Sequence, residues 1–117
     1  MMSGTPYKQG DVVLIPFPFT NLKGAKQRPA MILSPEYYNQ KTEDIIVCGV
    51  TTNLGDEANS VLINQKDMAE GDIYFTSRVK VDKLFTLEQN LIIRKLGRVN
   101  VSVLARIKYE LRKLVID

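Results

Sequence analysis

The stretch Ile45-Ile46-Val47-Cys48-Gly49-Val50-Thr51-Thr52-Asn53 is apolar for six positions and then turns polar. A short apolar run bounded by turn residues reads as a central strand covered on both faces. Its polar end runs into a turn around Gly55-Asp56. Such a strand needs neighbours on both sides, and the flanking sequence supplies them. Upstream, Gly10 opens Val12-Val13-Leu14-Ile15, which Pro16 closes, and Arg28-Pro29 opens the run Ala30 to Leu33. A proline cannot donate to a strand ladder, so Pro16 to Phe19 leaves the sheet or follows its edge, while Pro29 is tolerated at a strand start.

Downstream, Ser60 to Ile63, Ile73 to Val81 and Leu91 to Leu96 read as further strands. In the second of these, Tyr74, Thr76, Arg78 and Lys80 alternate with Ile73, Phe75, Ser77 and Val79, the period of a strand with two different faces. The intervals are loops: Thr20 to Gln27 with Lys23 and Lys26 near its tip, 35–43 with one helical turn, Asn64 to Gly71, and Asp82 to Asn90 as a turn or short helix. The one long helix is Val103 to Val115. Leu104, Ile107, Leu111, Leu114 and Val115 share a face of its 3.6-residue period, with Asn100 or Ser102 as N-cap. Five or six strands and one terminal helix imply a small, strongly bent sheet or barrel closed on one side by that helix.

At 117 residues, residues 1–117 are expected to form a single domain. With 44% hydrophobic and 25% charged residues, the composition is that of a globular protein. No apolar run approaches the ~20 residues of a membrane span. The first residues have neither a basic nor an apolar signal region, so a cytoplasmic location is the default expectation. The absence of histidine and the single cysteine, Cys48, exclude an internal disulfide, a Cys/His zinc site, a Ser-His-Asp triad and a two-histidine ribonuclease site. The net charge of +3 is unevenly placed. Residues 1–35 carry four bases and one acid, residues 36–76 two bases and eight acids, and residues 77–117 ten bases and four acids. If the basic ends meet, they form a surface for a polyanion; otherwise they make a solvated helix face.

Few side chains are then left for chemistry. Arg28 is restricted to extended backbone by Pro29, so its guanidinium projects from a defined place. It is either a surface arginine or a fork for two phosphate oxygens. Thr51 and Thr52 close the most apolar strand, where a rigid platform can hold a hydroxyl or plain β-propensity suffices. Gly49 marks a bulge or a close approach. Cys48 reads as a buried apolar residue. The acids at 43–44 and 56–57 lack cation-binding spacing, so neither metal nor cofactor is expected.

The order of these pieces is more specific than any one of them. Gly10-Asp11-Val12-Val13-Leu14-Ile15-Pro16-Phe17-Pro18-Phe19-Thr20, a Lys/Gly loop, Arg28-Pro29-Ala30-Met31-Ile32-Leu33-Ser34, Val47 to Thr52, Val81-Asp82-Lys83-Leu84 and a C-terminal helix follow one another. The chain thus resembles, over nearly its whole length, the PemK/MazF family of toxin ribonucleases from type II toxin–antitoxin modules. The resemblance implies a mainly β (α+β) fold, an SH3-like small barrel of five to seven short strands with a C-terminal helix, assembled as a homodimer. It implies a metal-independent, cofactor-free, sequence-selective endoribonuclease that cleaves single-stranded RNA to a 2′,3′-cyclic phosphate and a 5′-hydroxyl. A cognate acidic antitoxin would neutralise it. The family's active pair falls on Arg28 and Thr51, with Thr52 as the alternative one residue on. Arg28 would stabilise charge and protonate the leaving oxygen, while the base stays unassigned. Thr20, Lys23 and Lys26 of the flap loop, Thr52, Asn53, and Ser77 or Lys80 are the implied RNA contacts. The competing readings are a non-catalytic, gyrase-poisoning relative and an SH3-like RNA-binding module.

Overall fold

The computed structural model describes residues 7–17 and 26–116. Its strands are β1 (Asp11–Phe17), β2 (Lys26–Ile32), β3 (Asp44–Thr51), β4 (Ser60–Ile63), β5 (Met68–Gly71), β6 (Ser77–Glu88) and β7 (Arg94–Val99). They form one seven-stranded sheet in the order β4-β6-β3-β2-β1-β7-β5, with every neighbouring pair antiparallel. The sheet curls into half a barrel, with the short helix α1 (Glu36–Lys41) before β3 and the long helix α2 (Val101–Val115) at the end. This is the mainly β fold with a C-terminal helix that the sequence implies. Among the described residues, no helix is long and apolar enough to cross a membrane.

β3 is central, and its alternating side chains enter two separate cores. Cys48 and Val50 join Val12, Met31, Val79, Val81 and the α2 residues Val103 and Ile107. Ile45 and Val47 join Val13, Ile15, Ala30, Ile32 and Leu87 on the opposite face. Burial on both faces explains why its run from Ile45 to Val50 is apolar throughout instead of alternating.

β6 departs most from the sequence reading, which placed a strand at 73–81 and a turn or helix at 82–90. The strand runs from Ser77 to Glu88 without ending at Asp82-Lys83. Opposite β3, the register jumps from Gly49↔Lys80 to Cys48↔Leu84, so Val81, Asp82 and Lys83 are extra residues on β6. The excursion redirects the strand from one core to the other. Val79 and Val81 face the first cluster, whereas Phe85 and Leu87 face the second. A polar pair inside a strand marks the bend and mimics a turn.

The segment expected to be a loop at 64–71 contains β5, a short edge strand of low β-propensity that pairs only with β7. Its approach depends on glycine. A Cβ on Gly97 would lie 2.4 Å from the Glu70 carbonyl oxygen, and one on Gly71 (φ +77) 2.2 Å from that of Leu96. β7 itself sits three residues later than expected, at Arg94–Val99, because Gln89–Leu91 is a 3₁₀ turn. The fully buried Asp11 ties β1 to β7, accepting from Arg98 Nε at 2.8 Å and lying 3.4 Å from Lys95 Nζ. Both bases also reach Glu70 of β5. The Lys95 hydrogen bond, then the Lys95 and Arg98 charges, hold its carboxyl below the usual range.

Asn100 caps α2, its Oδ1 accepting the Val103 N–H at 2.8 Å. Val103 and Ile107 are buried against β4 and β6, and Leu104 and Leu111 pack beside them. The expected apolar face is therefore shorter than its period implies, since Leu114 and Val115 are exposed.

Candidate active site

Backbone pairing between β2 and β3 extends from Ile32–Val47 to Ala30–Gly49. Carried two residues further, the same register sets Arg28 opposite Thr51. A cavity of about 440 Å³ lies there, lined by Arg28 and Thr51 together with Ile15, Phe17, Gly49 and Phe85. Strand alternation places Ile15, Arg28, Gly49 and Thr51 on one face of the sheet. Thr52, beyond the end of β3, is not among the residues that line the cavity.

The two polar groups are presented differently. Arg28 is exposed and makes no ion pair or hydrogen bond with another described residue. Its guanidinium carbon lies 5.3 Å from the centroid of the Phe17 ring, an apolar shelf that leaves all its N–H donors available. Thr51 is half-buried, and its Oγ1 accepts the Asn53 N–H at 3.0 Å. That bond occupies an acceptor site on the oxygen and leaves the hydroxyl hydrogen to be donated.

The cavity's outer wall is a crossover. β3 and β4 are both antiparallel to β6, which lies between them, so residues 52–59 must pass over β6. Arg78 and Lys80, two residues apart on β6, rise from it to hold that segment. Arg78 Nε donates to the Leu54 carbonyl at 2.7 Å. Lys80 Nζ donates to the carbonyls of Asp56 and Ala58 and to Asp56 Oδ1, the last at 2.9 Å. The crossover opens with a turn in which Asn53 Oδ1 accepts the Gly55 N–H. Asn59, with φ +52, ends it.

The predicted contact residues separate accordingly. Thr20 and Lys23 lie outside the described residues. Lys26 is exposed opposite Phe17, on the face that Arg28 shares. Asn53 builds the turn beside the cavity. Lys80 lines the cavity but is only 4% exposed, and its donors are used on the crossover. Ser77 pairs with Ile63 on the opposite face, buried, its hydroxyl donating to the Phe75 carbonyl. The basic C-terminal third does not come together around the cavity, because α2 covers the other face. Of the bases in that third, Lys80 and Lys83 alone are among the lining residues. Sequence reasoning missed Phe17, Lys83 and Asp56 as cavity residues. Phe17 stands in the quoted Pro-Phe-Pro-Phe run, but nothing in a single sequence shows a loop acid folding back over β6. Cys48 is fully buried; burial first, then the Asp82 charge, pushes its thiol up to about 12. Among the described residues, no group of three His, Cys, Asp or Glu side chains could hold a metal ion.

Comparison with known proteins agrees with this architecture. A MazE–MazF structure from Deinococcus radiodurans superposes with a TM-score of 0.76 at 23% identity, covering 95% of this chain and 97% of that one. The Mycobacterium tuberculosis toxin MazF-mt6 gives 0.74 at 18% identity, covering 92% and 98%. An endoribonuclease bound to its cognate antitoxin, from a mycobacterial species, gives 0.71 at 22% identity, covering 93% and 92%. No curated protein matches the sequence significantly. A family model described as the PemK-like, MazF-like toxin of type II toxin–antitoxin systems matches residues 8–115, and the chain belongs to that family.

Proposed function

We propose that the chain is an endoribonuclease that cleaves single-stranded RNA without a metal ion, at the Arg28–Thr51 cavity. The observation that carries this reading is the placement of a guanidinium, without an ion pair or hydrogen bond among the described residues, opposite a hydroxyl donor on one open cavity. In such a reaction the RNA 2′-oxygen attacks the adjacent phosphorus, so the nucleophile belongs to the substrate. Negative charge gathers on the phosphoryl oxygens, and preorganised donors aimed at them lower the barrier. Arg28 supplies charge and proton donation at the leaving oxygen, and Thr51 a neutral hydrogen bond. Lys26 and Lys83 extend the positive rim toward neighbouring phosphates. The products are a 2′,3′-cyclic phosphate and a 5′-hydroxyl.

The same site is where a cognate antitoxin would act, by an acidic segment that covers Arg28. The chain works as a homodimer, in which a second copy lengthens the shallow groove available to an extended RNA. Incubation of the purified chain with a long RNA in excess EDTA tests the reading. Cleavage with cyclic-phosphate ends supports it. Cleavage that EDTA abolishes and magnesium restores rejects the Arg/Thr site. Binding without cleavage points to an RNA-binding module.

A further inference from the structure

Attack by a 2′-hydroxyl requires a group that takes its proton, and neither member of the Arg28–Thr51 pair is suited to that task. A guanidinium has no acceptor. Thr51 Oγ1 already accepts the Asn53 N–H, and a neutral hydroxyl is a weak base. Of the residues that line the cavity, one carries a carboxylate: Asp56. Its side chain is 48% exposed. Oδ1 takes the Lys80 ammonium at 2.9 Å, and Oδ2 has no hydrogen-bond partner among the described residues.

The chain goes to some length to put this carboxylate there. Lys80 is a buried ammonium, and a buried charge is tolerated only when its donors are met. They are met by Asp56 Oδ1 and by the carbonyls of Asp56 and Ala58, with Asp82 Oδ1 further off at 3.9 Å. One lysine therefore fixes both the backbone and the side chain of the same residue. Arg78 anchors the segment two residues earlier through the Leu54 carbonyl. An exposed surface aspartate needs no such support; a group that must meet a substrate atom does.

We propose that Asp56 is the proton acceptor of the cleavage reaction and that Lys80 is its positioning residue. This deepens the ribonuclease reading and rests on it. In the step, the 2′-O–H proton passes to Asp56 Oδ2 while the 2′-oxygen forms a bond to phosphorus. The P–O5′ bond breaks, and the departing O5′ takes a proton from the Arg28 guanidinium. Asp56 then returns its proton to solvent, and Arg28 regains one. No oxidant, metal or second substrate enters the balance.

Asp56→Asn tests the proposal most cleanly, because an amide oxygen still accepts from Lys80 but cannot take a proton. Removal of a general base costs ~10²–10⁴-fold, so kcat should fall by that order. Binding of an RNA with 2′-deoxy at the scissile position should stay within about twofold of the parent, since phosphate contacts are untouched. Asp56→Ser provides a second chain with a small polar side chain at that position and should show the same loss. Lys80→Met should lower kcat more than it changes KM, and Lys80→Arg should recover part of the loss. A folded Asp56 variant that cuts at the parent rate overturns the proposal while leaving the ribonuclease reading intact. If Arg28→Ala also cuts at the parent rate, the ribonuclease site itself is misplaced.

Discussion

The guanidinium of Arg28 lies over the ring of Phe17, 5.3 Å from its centroid, across the antiparallel pair β1–β2. The ring gives the charged side chain an apolar support without using any of its hydrogen-bond donors. Phe17→Leu keeps an apolar side chain and removes the π face. At an exposed site such a contact is worth ~0.5–1 kcal/mol, so the RNA cleavage rate should fall about two- to fivefold. Single-turnover cleavage rates of the two proteins check this, and equal rates would show that Arg28 is oriented by something else.

Gly97 sets the closeness of β5 and β7. A Cβ there would meet the Glu70 carbonyl oxygen at 2.4 Å, a backbone atom that cannot swing aside. Gly97→Ala should cost ~1–3 kcal/mol, in the range of other overpacking changes. Urea unfolding measures it. Because this edge lies away from the Arg28 cavity, RNA cleavage by the folded fraction should be unchanged.

Cys48 makes a prediction about alkaline pH. Its thiol ionises near 9.0 in the unfolded chain and is pushed up to about 12 by burial. A raised value means that the folded state holds its proton after the unfolded state has lost it. The contribution is intact below pH 9 and is lost as pH rises from 9 toward 12. The slope from this one group is ~1.4 kcal/mol per pH unit. A thiol reagent at pH 8 should label Cys48 only as fast as the chain unfolds, and the loss of stability above pH 9 should be smaller in Cys48→Val. Rapid labelling of the folded protein would contradict the burial.

Much of the architecture was legible because its signals are local. The continuous apolar run of β3, the short Ser60–Ile63 strand and the periodic α2 all appear where the pattern puts them. Asp82-Lys83 misled because a bend between two cores and a turn use the same polar residues. β5 was hidden because Met68-Ala69-Glu70-Gly71 owes its pairing to two glycines that meet across strands, not to propensity. At the site, Arg28-Pro29 and the Thr51 strand end were visible, and the shared cavity came with the β2–β3 register. Ser77 or Lys80 stayed open as the site-facing residue because the alternation of that strand could not be anchored to a face; the strand puts Lys80 toward the cavity and Ser77 on the other side. Lys80 was seen as a substrate contact, whereas its charge is spent on the crossover. That role depends on residues 52–59 crossing β6, which only the strand order determines.

In the proposed reaction Arg28 and Thr51, and not Thr52, form the RNA-cleaving pair. Single-turnover cleavage of one defined RNA, in EDTA, by Arg28→Ala, Thr51→Ala and Thr52→Ala decides this. Loss of one oxyanion-type donor costs ~10²–10³-fold, so Arg28→Ala should fall by about that much. Thr51→Ala should fall by less, as a neutral donor is weaker than a charged one. Thr52→Ala, which removes a side chain outside the cavity, should cut at nearly the parent rate. A dead Thr52→Ala beside an active Thr51→Ala, or an Arg28→Ala that cuts as fast as the parent, would show that the pair lies elsewhere.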